Sequence, residues 1–219
     1  CQKSLEGYPA FISALKQETG YAIDYITNGT IFPALSDGDQ QKLEIRYNRQ
    51  KKASLPVELL SAKASRRLEP NLSGHVQMAL RYPADHQVEN RDLIRALTQA
   101  IRQLGGIVHE GTAVKRILTD QSQVIGVQTD SVSWETRHIV NATGSWAPYL
   151  DGVPTIVRPP IRPVHGQILS VKTGDAWPFR HTIYSSKTYL VPRSNGRLLI
   201  GATVEESGFR KEVTVEGIL

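Results

Sequence analysis

The stretch from residue 90 to residue 109 constrains the fold most. Leu93, Ile94, Leu97, Ile101 and Leu104 recur at helical spacing and form one apolar stripe. Asn90 stands where a helix cap belongs, and Gly105-Gly106 ends the run. Ile107-Val108-His109 follows at once and reads as a strand. A helix that feeds straight into a strand is a unit of the α/β kind, because its stripe must be covered by a neighbouring layer. At 219 residues the chain is long enough for one large domain or two modest ones.

Around this unit the pattern changes along the chain. Leu5, Tyr8, Phe11, Ile12 and Leu15 mark an amphipathic helix that Gly20 stops. Residues 21–26 alternate loosely, Asn28-Gly29 signals a turn, and residues 30–32 read as a second strand. Residues 37–49 form a polar helix, which Pro56 separates from a shorter helix at 59–68; Pro70 ends the latter. Residues 76–82 read as a strand, as do 113–118, 124–129 and 133–137. Residues 138–143 form an apolar strand running into the turn at Gly144. Beyond Pro159-Pro160 the strands are 167–171, 188–191 and 198–203, the last two joined across Ser194-Asn195-Gly196. Mixed helix and strand, then α/β, then strand-rich: the order implies two domains, each assembled from separate pieces of chain.

Several function classes fall away. Hydrophobic residues are 40% and charged residues 21%, a globular composition. No run approaches the ~20 apolar residues of a membrane span. The net charge of +5 permits an anionic partner, but only Arg46, Arg49, Lys51, Lys52, Arg66 and Arg67 cluster. They sit in helical stretches poor in aromatics, which reads as a solvated face and not as a nucleic-acid surface. The six histidines lack metal-ligand spacing, so no metal is expected. G-x-S-x-G, P-loop and G-x-G-x-x-G motifs are absent. The single cysteine, Cys1, cannot form an internal disulfide, which suits a reducing, cytoplasmic setting. The chain opens on Cys1 and not on Met. The residues after it read as a core-facing helix, so a piece of a longer protein is expected in preference to a lipid-tethered one.

Two constellations offer chemistry. In Val140-Asn141-Ala142-Thr143-Gly144-Ser145-Trp146-Ala147 an apolar strand ends in small residues, where a ligand can approach the backbone. The same residues would serve an ordinary strand-to-loop turn. In the second, Tyr184 and Tyr189 flank a turn whose strand continues through Leu190-Val191-Pro192-Arg193. Their hydroxyls can orient a small polar substrate while the rings wall an apolar pocket, or they can simply pack on a sheet face.

Four segments in order resemble a known family: residues 88–114; Asn141-Ala142-Thr143-Gly144-Ser145-Trp146; Arg162-Pro163-Val164-His165-Gly166-Gln167; and residues 182–203. The family is that of the FAD-dependent D-amino-acid, sarcosine and glycine oxidases, with the likeness nearest to bacterial glycine oxidase. It implies α/β plus α+β architecture. An FAD-binding, dinucleotide-type domain would own residues 1–20 and 86–150. A substrate domain on a large, mainly antiparallel sheet would own 21–85 and 151–219. The resemblance places Val114 against the FAD adenine, and Ala142, Thr143, Gly144 and Trp146 along the cofactor. It places Tyr184 and Tyr189 in the substrate pocket. A small amine or amino acid would pass a hydride to the flavin, giving an imine, and oxygen would reoxidise the flavin to give peroxide. The resemblance implies no catalytic acid or base.

The sequence departs from the family in two places. It lacks the Gly-rich turn that holds the pyrophosphate and the later arginine that pairs with the substrate carboxylate. An interior piece of such an enzyme is therefore expected to bind FAD weakly or not at all, to be inactive alone, and to expose apolar surface. An FAD-dependent D-amino-acid or glycerol-3-phosphate dehydrogenase and a non-enzymatic binding module are the competing readings. Arg193 alone does not make a phosphate site. Oligomeric state is not readable.

Overall fold

The computed structural model of the chain describes residues 2–174, 178–186 and 188–218. Cys1, on which the disulfide argument rests, and Lys187, within the second constellation, lie outside the described residues. The fold is mixed α/β with a large sheet, and the chain divides into two compact units.

The first unit comprises residues 1–106, 167–203 and 215–219. It contains α1 (Gln2–Thr19), β1 (Tyr25–Ile26), β2 (Thr30–Ala34), α2 (Asp37–Lys52), β3 (Glu58–Ser61), α3 (Ala62–Leu68), β4 (Met78–Tyr82), β5 (Gln87–Val88) and α4 (Asn90–Gln103). The second unit, residues 107–166 and 204–214, contains β6 (Arg116–Asp120), β7 (Gln123–Gln128) and β8 (Ser133–Glu135). The chain then returns to the first unit with β9 (Ile168–Lys172), β10 (Thr182–Tyr184), β11 (Tyr189–Pro192), β12 (Arg197–Gly201) and α5 (Val215–Ile218).

Seven strands of the first unit form one sheet in the order β3-β4-β2-β10-β11-β12-β9. All neighbours are antiparallel except β2 and β10, which run parallel with Thr30 opposite Thr182. One face is sealed by Ile31, Ala79 and Ile183, on which Leu60, Leu68, Leu72 and Leu190 pack. Across the other, α2 lays Leu43 on Ala34, Val57, Met78 and Leu80. The start of α2 is fixed by Ser36, whose hydroxyl accepts from the Asp39 amide, and its last turn carries Arg49, Lys51 and Lys52, where cations meet the free carbonyls. A third cluster joins α1 to α4 through Ile12, Leu15, Ile23 and Ala96.

The structure corrects the sequence reading at several elements. Residues 21–26 reduce to β1, which pairs with β5 and forms no hairpin with β2. Gly29 turns the chain instead so that β2 can enter the large sheet, and its positive φ places it against the Tyr82 carbonyl. Leu59 and Leu60 belong to β3, because Ser61 caps α3 and delays the helix to Ala62. Glu89, not Asn90, caps α4. The buried face of α4 is Leu93, Ala96, Leu97 and Ala100, whereas Ile94, Ile101 and Leu104 of the expected stripe are exposed. Residues 107–109 and 138–143 carry no ladder. Among the described residues no strand pairs with either, and a strand-forming run becomes sheet only with a partner for its amides.

The second unit is a β6-β7-β8 meander with a bulge between Leu118 and Thr119. A 3-10 turn, Gly144–Tyr149, follows. Ile117 donates its amide to the Asp151 carbonyl at 2.8 Å, tying the meander to the segment beyond that turn. Among the described residues, no helix is long and apolar enough to cross a membrane.

Candidate functional site

The face of the large sheet not covered by α3 floors a cleft of about 810 Å³, lined wholly by residues of the first unit. Strand alternation selects its residues. Thr30 and Thr182 face each other across β2 and β10, Tyr184 faces Tyr189 across β10 and β11, and Val191 faces Leu199, itself opposite Ser170. The floor is therefore rich in hydroxyls around Thr30, Thr182, Tyr184 and Tyr189 and apolar at Val191 and Leu199.

Tyr184 and Tyr189 stack at 6.1 Å with an interplanar angle of 9°. Phe32 on β2 continues the row, with its ring 5.4 Å from that of Tyr184. A tight connection sets this geometry. The Ser185 amide donates to the Thr188 carbonyl at 2.8 Å, and the Thr188 hydroxyl donates to the Gly201 carbonyl at 2.9 Å. The two expected substrate residues are thus brought together, with Tyr184 about half exposed in the cleft.

Asp85, His86 and Glu89 form the cleft wall where the chain enters α4. His86 Nδ1 lies 2.5 Å from the Tyr25 hydroxyl. Burial raises the Asp85 carboxyl above the usual aspartate range, against the lowering effects of the Thr30 hydroxyl and of His86. Glu89 is buried and takes Arg197 Nη2 at 2.7 Å, with Arg193 Nε 3.8 Å away. Arg193 is itself only 9% exposed, and its Nε and Nη1 have no hydrogen-bond partner among the described residues. The sequence reading missed this wall. Its one signal was Arg193 and Arg197 flanking the Asn195-Gly196 turn, and nothing local paired them with Glu89 more than a hundred residues earlier.

Val114, Ala142, Thr143, Gly144 and Trp146 all lie in the second unit. Val114 precedes β6 and is exposed. Asn141 orders the next segment, since its Oδ1 accepts from the Thr143 hydroxyl at 2.7 Å and its Nδ2 donates to the Ala147 carbonyl at 3.2 Å. Gly144 has φ 57°, and open space lies where a Cβ would stand. Small side chains, exposed backbone and that open space fit a cofactor that presses on the main chain. Trp146 stacks on Phe209 at 5.0 Å, with Lys211 5.8 Å from its ring. Among the described residues no three His, Cys, Asp or Glu side chains gather as a metal site.

Comparison with known proteins gives this arrangement its family. Over its full length the chain is 32% identical to the bifunctional protein ThiO/ThiG of Trichormus variabilis and spans 32% of that protein. It is 29% identical to the glycine oxidase of Geobacillus kaustophilus across 96% of its own length and 56% of the enzyme's. The crystal structure of glycine oxidase from Geobacillus kaustophilus superposes with a TM-score of 0.87 at 27% identity, covering 99% of this chain and 58% of that one. The chain thus spans about a third to just over half of these relatives. Residues 2–218 match the family described as DAO, FAD dependent oxidoreductase, and the chain belongs to that family.

Proposed function

We propose that the whole protein containing this chain oxidises a small amine or amino acid, such as glycine, sarcosine or a small D-amino acid, to the imine. Oxygen is the final electron acceptor and peroxide the by-product. The observation that carries this reading is the stacked Tyr184–Tyr189 pair, in register on the open face of the large sheet. Flat rings confine a small apolar backbone between them and the wall, and the phenolic hydroxyls hold its polar end. Binding there orients the reacting C–H and excludes bulk water, which is what the chain itself contributes to the rate.

FAD, when bound, supplies the hydride acceptor. In this reading residues 1–20 and 86–150 belong to its domain, and residues 21–85 and 151–219 to that of the substrate. Val114, Ala142, Thr143, Gly144 and Trp146 contact the cofactor. Burial makes Asp85 a stronger base than an ordinary aspartate, but the reading assigns it no proton transfer. A reducing, cytoplasmic compartment suits the single cysteine.

The test is peroxide release by the full-length, flavin-loaded protein offered glycine, sarcosine and D-alanine. The expected result is turnover of at least one of them. Flavin reduction without peroxide would point to a dehydrogenase, and an inert flavin with all three would remove the reading.

A further inference from the structure

We infer that Lys42 and Arg46 form an anion-selective subsite beside Tyr184, which takes a second carboxylate of the substrate. The inference rests on the amine-oxidation reading above and adds a substrate class to it.

A second pocket of about 370 Å³ lies between α2 and the sheet, and Tyr184 lines both it and the main cleft. The aromatic row of Tyr189, Tyr184 and Phe32 leads from one to the other, and Arg46 lies at its end with its guanidinium carbon 5.0 Å from the centre of the Phe32 ring. That contact keeps Arg46 at the pocket. Lys42 stands one helical turn earlier, on the same face of α2. Leu43 is buried against the sheet, which fixes how this face is presented.

The charge in the pocket is unbalanced. Asp39 also lines it, but its Oδ2 is occupied at the start of α2, taking the Ser36 hydroxyl at 2.9 Å and the Leu35 amide at 3.4 Å. Among the described residues neither Lys42 nor Arg46 has an ion-pair partner. Two cations against one engaged carboxylate leave a positive site at the far side of Tyr184. An amino acid lying on the tyrosine pair and carrying a carboxylate on a short arm would place it there, where a guanidinium and an ammonium both donate.

Two measurements on the full-length, flavin-loaded protein test this. In the first, glutarate and pentanoate are titrated calorimetrically into the wild type, Lys42→Gln and Lys42→Gln/Arg46→Gln, with folding checked by circular dichroism. The expected result is that glutarate binds roughly tenfold more tightly than pentanoate, that the preference shrinks in the single variant and vanishes in the double one, and that it weakens with salt. In the second, kcat/KM for D-glutamate relative to D-alanine falls about tenfold in the double variant, through KM, while D-alanine turnover is unchanged. A glutarate preference that survives the double substitution would overturn the subsite. So would displacement of glutarate by inorganic phosphate at equal affinity, which would mark a general anion site. If no amine is oxidised yet the glutarate preference depends on Lys42 and Arg46, the oxidation reading fails and the subsite stands.

Discussion

The two compact units place their apolar residues differently. All three buried clusters lie in the first unit, two on the faces of the large sheet and one between α1 and α4. In the second, Ala147 is the one buried hydrophobic residue among those described, while Val140 is 91% exposed and Ile156 93%. One unit is held by packing. The other is held mainly by the β6-β7-β8 ladder and its turns. The comparison teaches that strand-forming sequence alone does not make sheet: residues 138–143 have the composition of a buried strand and no ladder. Apolar surface of this kind marks a place to be covered, and in the second unit it adjoins, along the chain, the residues proposed above to contact FAD.

The largest expected effect lies in the first unit. Glu69 is 1% exposed, and its Oε1 takes the Arg180 amide at 2.8 Å, the His181 amide at 2.6 Å and His181 Nδ1 at 2.6 Å. Glu69→Ala leaves two buried His181 N–H groups and the part-buried Arg180 amide without that acceptor and is expected to cost about 3–5 kcal/mol by denaturant unfolding. A loss under about 1 kcal/mol would show that this pair does not anchor the sheet. Next, Leu80→Ala empties a fully buried position and is expected to cost about 2–5 kcal/mol, while Val140→Ser stays within about 0.5 kcal/mol. Equal losses would erase the contrast between the units.

Within the second unit, backbone geometry matters more than packing. Gly152 has φ 83°, and an added Cβ would collide with the Ile117 carbonyl. Gly152→Ala should therefore destabilise by more than about 1 kcal/mol, read as faster amide exchange along β6 and β7. Unchanged exchange would contradict the tie between the meander and Asp151. The smallest effect concerns pH. Because Asp85 is raised in the folded state, the folded chain holds this proton more tightly than the unfolded one. Stability then falls as pH rises from the ordinary aspartate range through the raised value, and no penalty exists below it. Asp85→Asn should flatten that slope in unfolding midpoints between acid and neutral pH.

What was legible in the sequence follows from range. Helices α1, α2 and α4 and the β11–β12 hairpin are written locally, in the helical spacing of their residues and in Asn195-Gly196. The tyrosine pair was legible through the family resemblance, and the register of β10 with β11 then stacks the rings. The cleft wall was not legible, because Glu89 meets Arg193 and Arg197 only through the tertiary fold. Nor was the parallel pairing of β2 with β10, which joins Thr30 to Thr182 across the sheet and replaces the hairpin that Asn28-Gly29 suggested.

The most direct test of the central claim is the steady-state kinetics of Tyr189→Phe in the full-length, flavin-loaded protein. The variant keeps the ring and its stacking and removes only the hydroxyl. The account predicts that kcat/KM for the oxidised amine drops roughly tenfold, with flavin content and unfolding midpoint unchanged. An unaltered kcat/KM would contradict it, and would move the substrate away from the tyrosine face of the sheet.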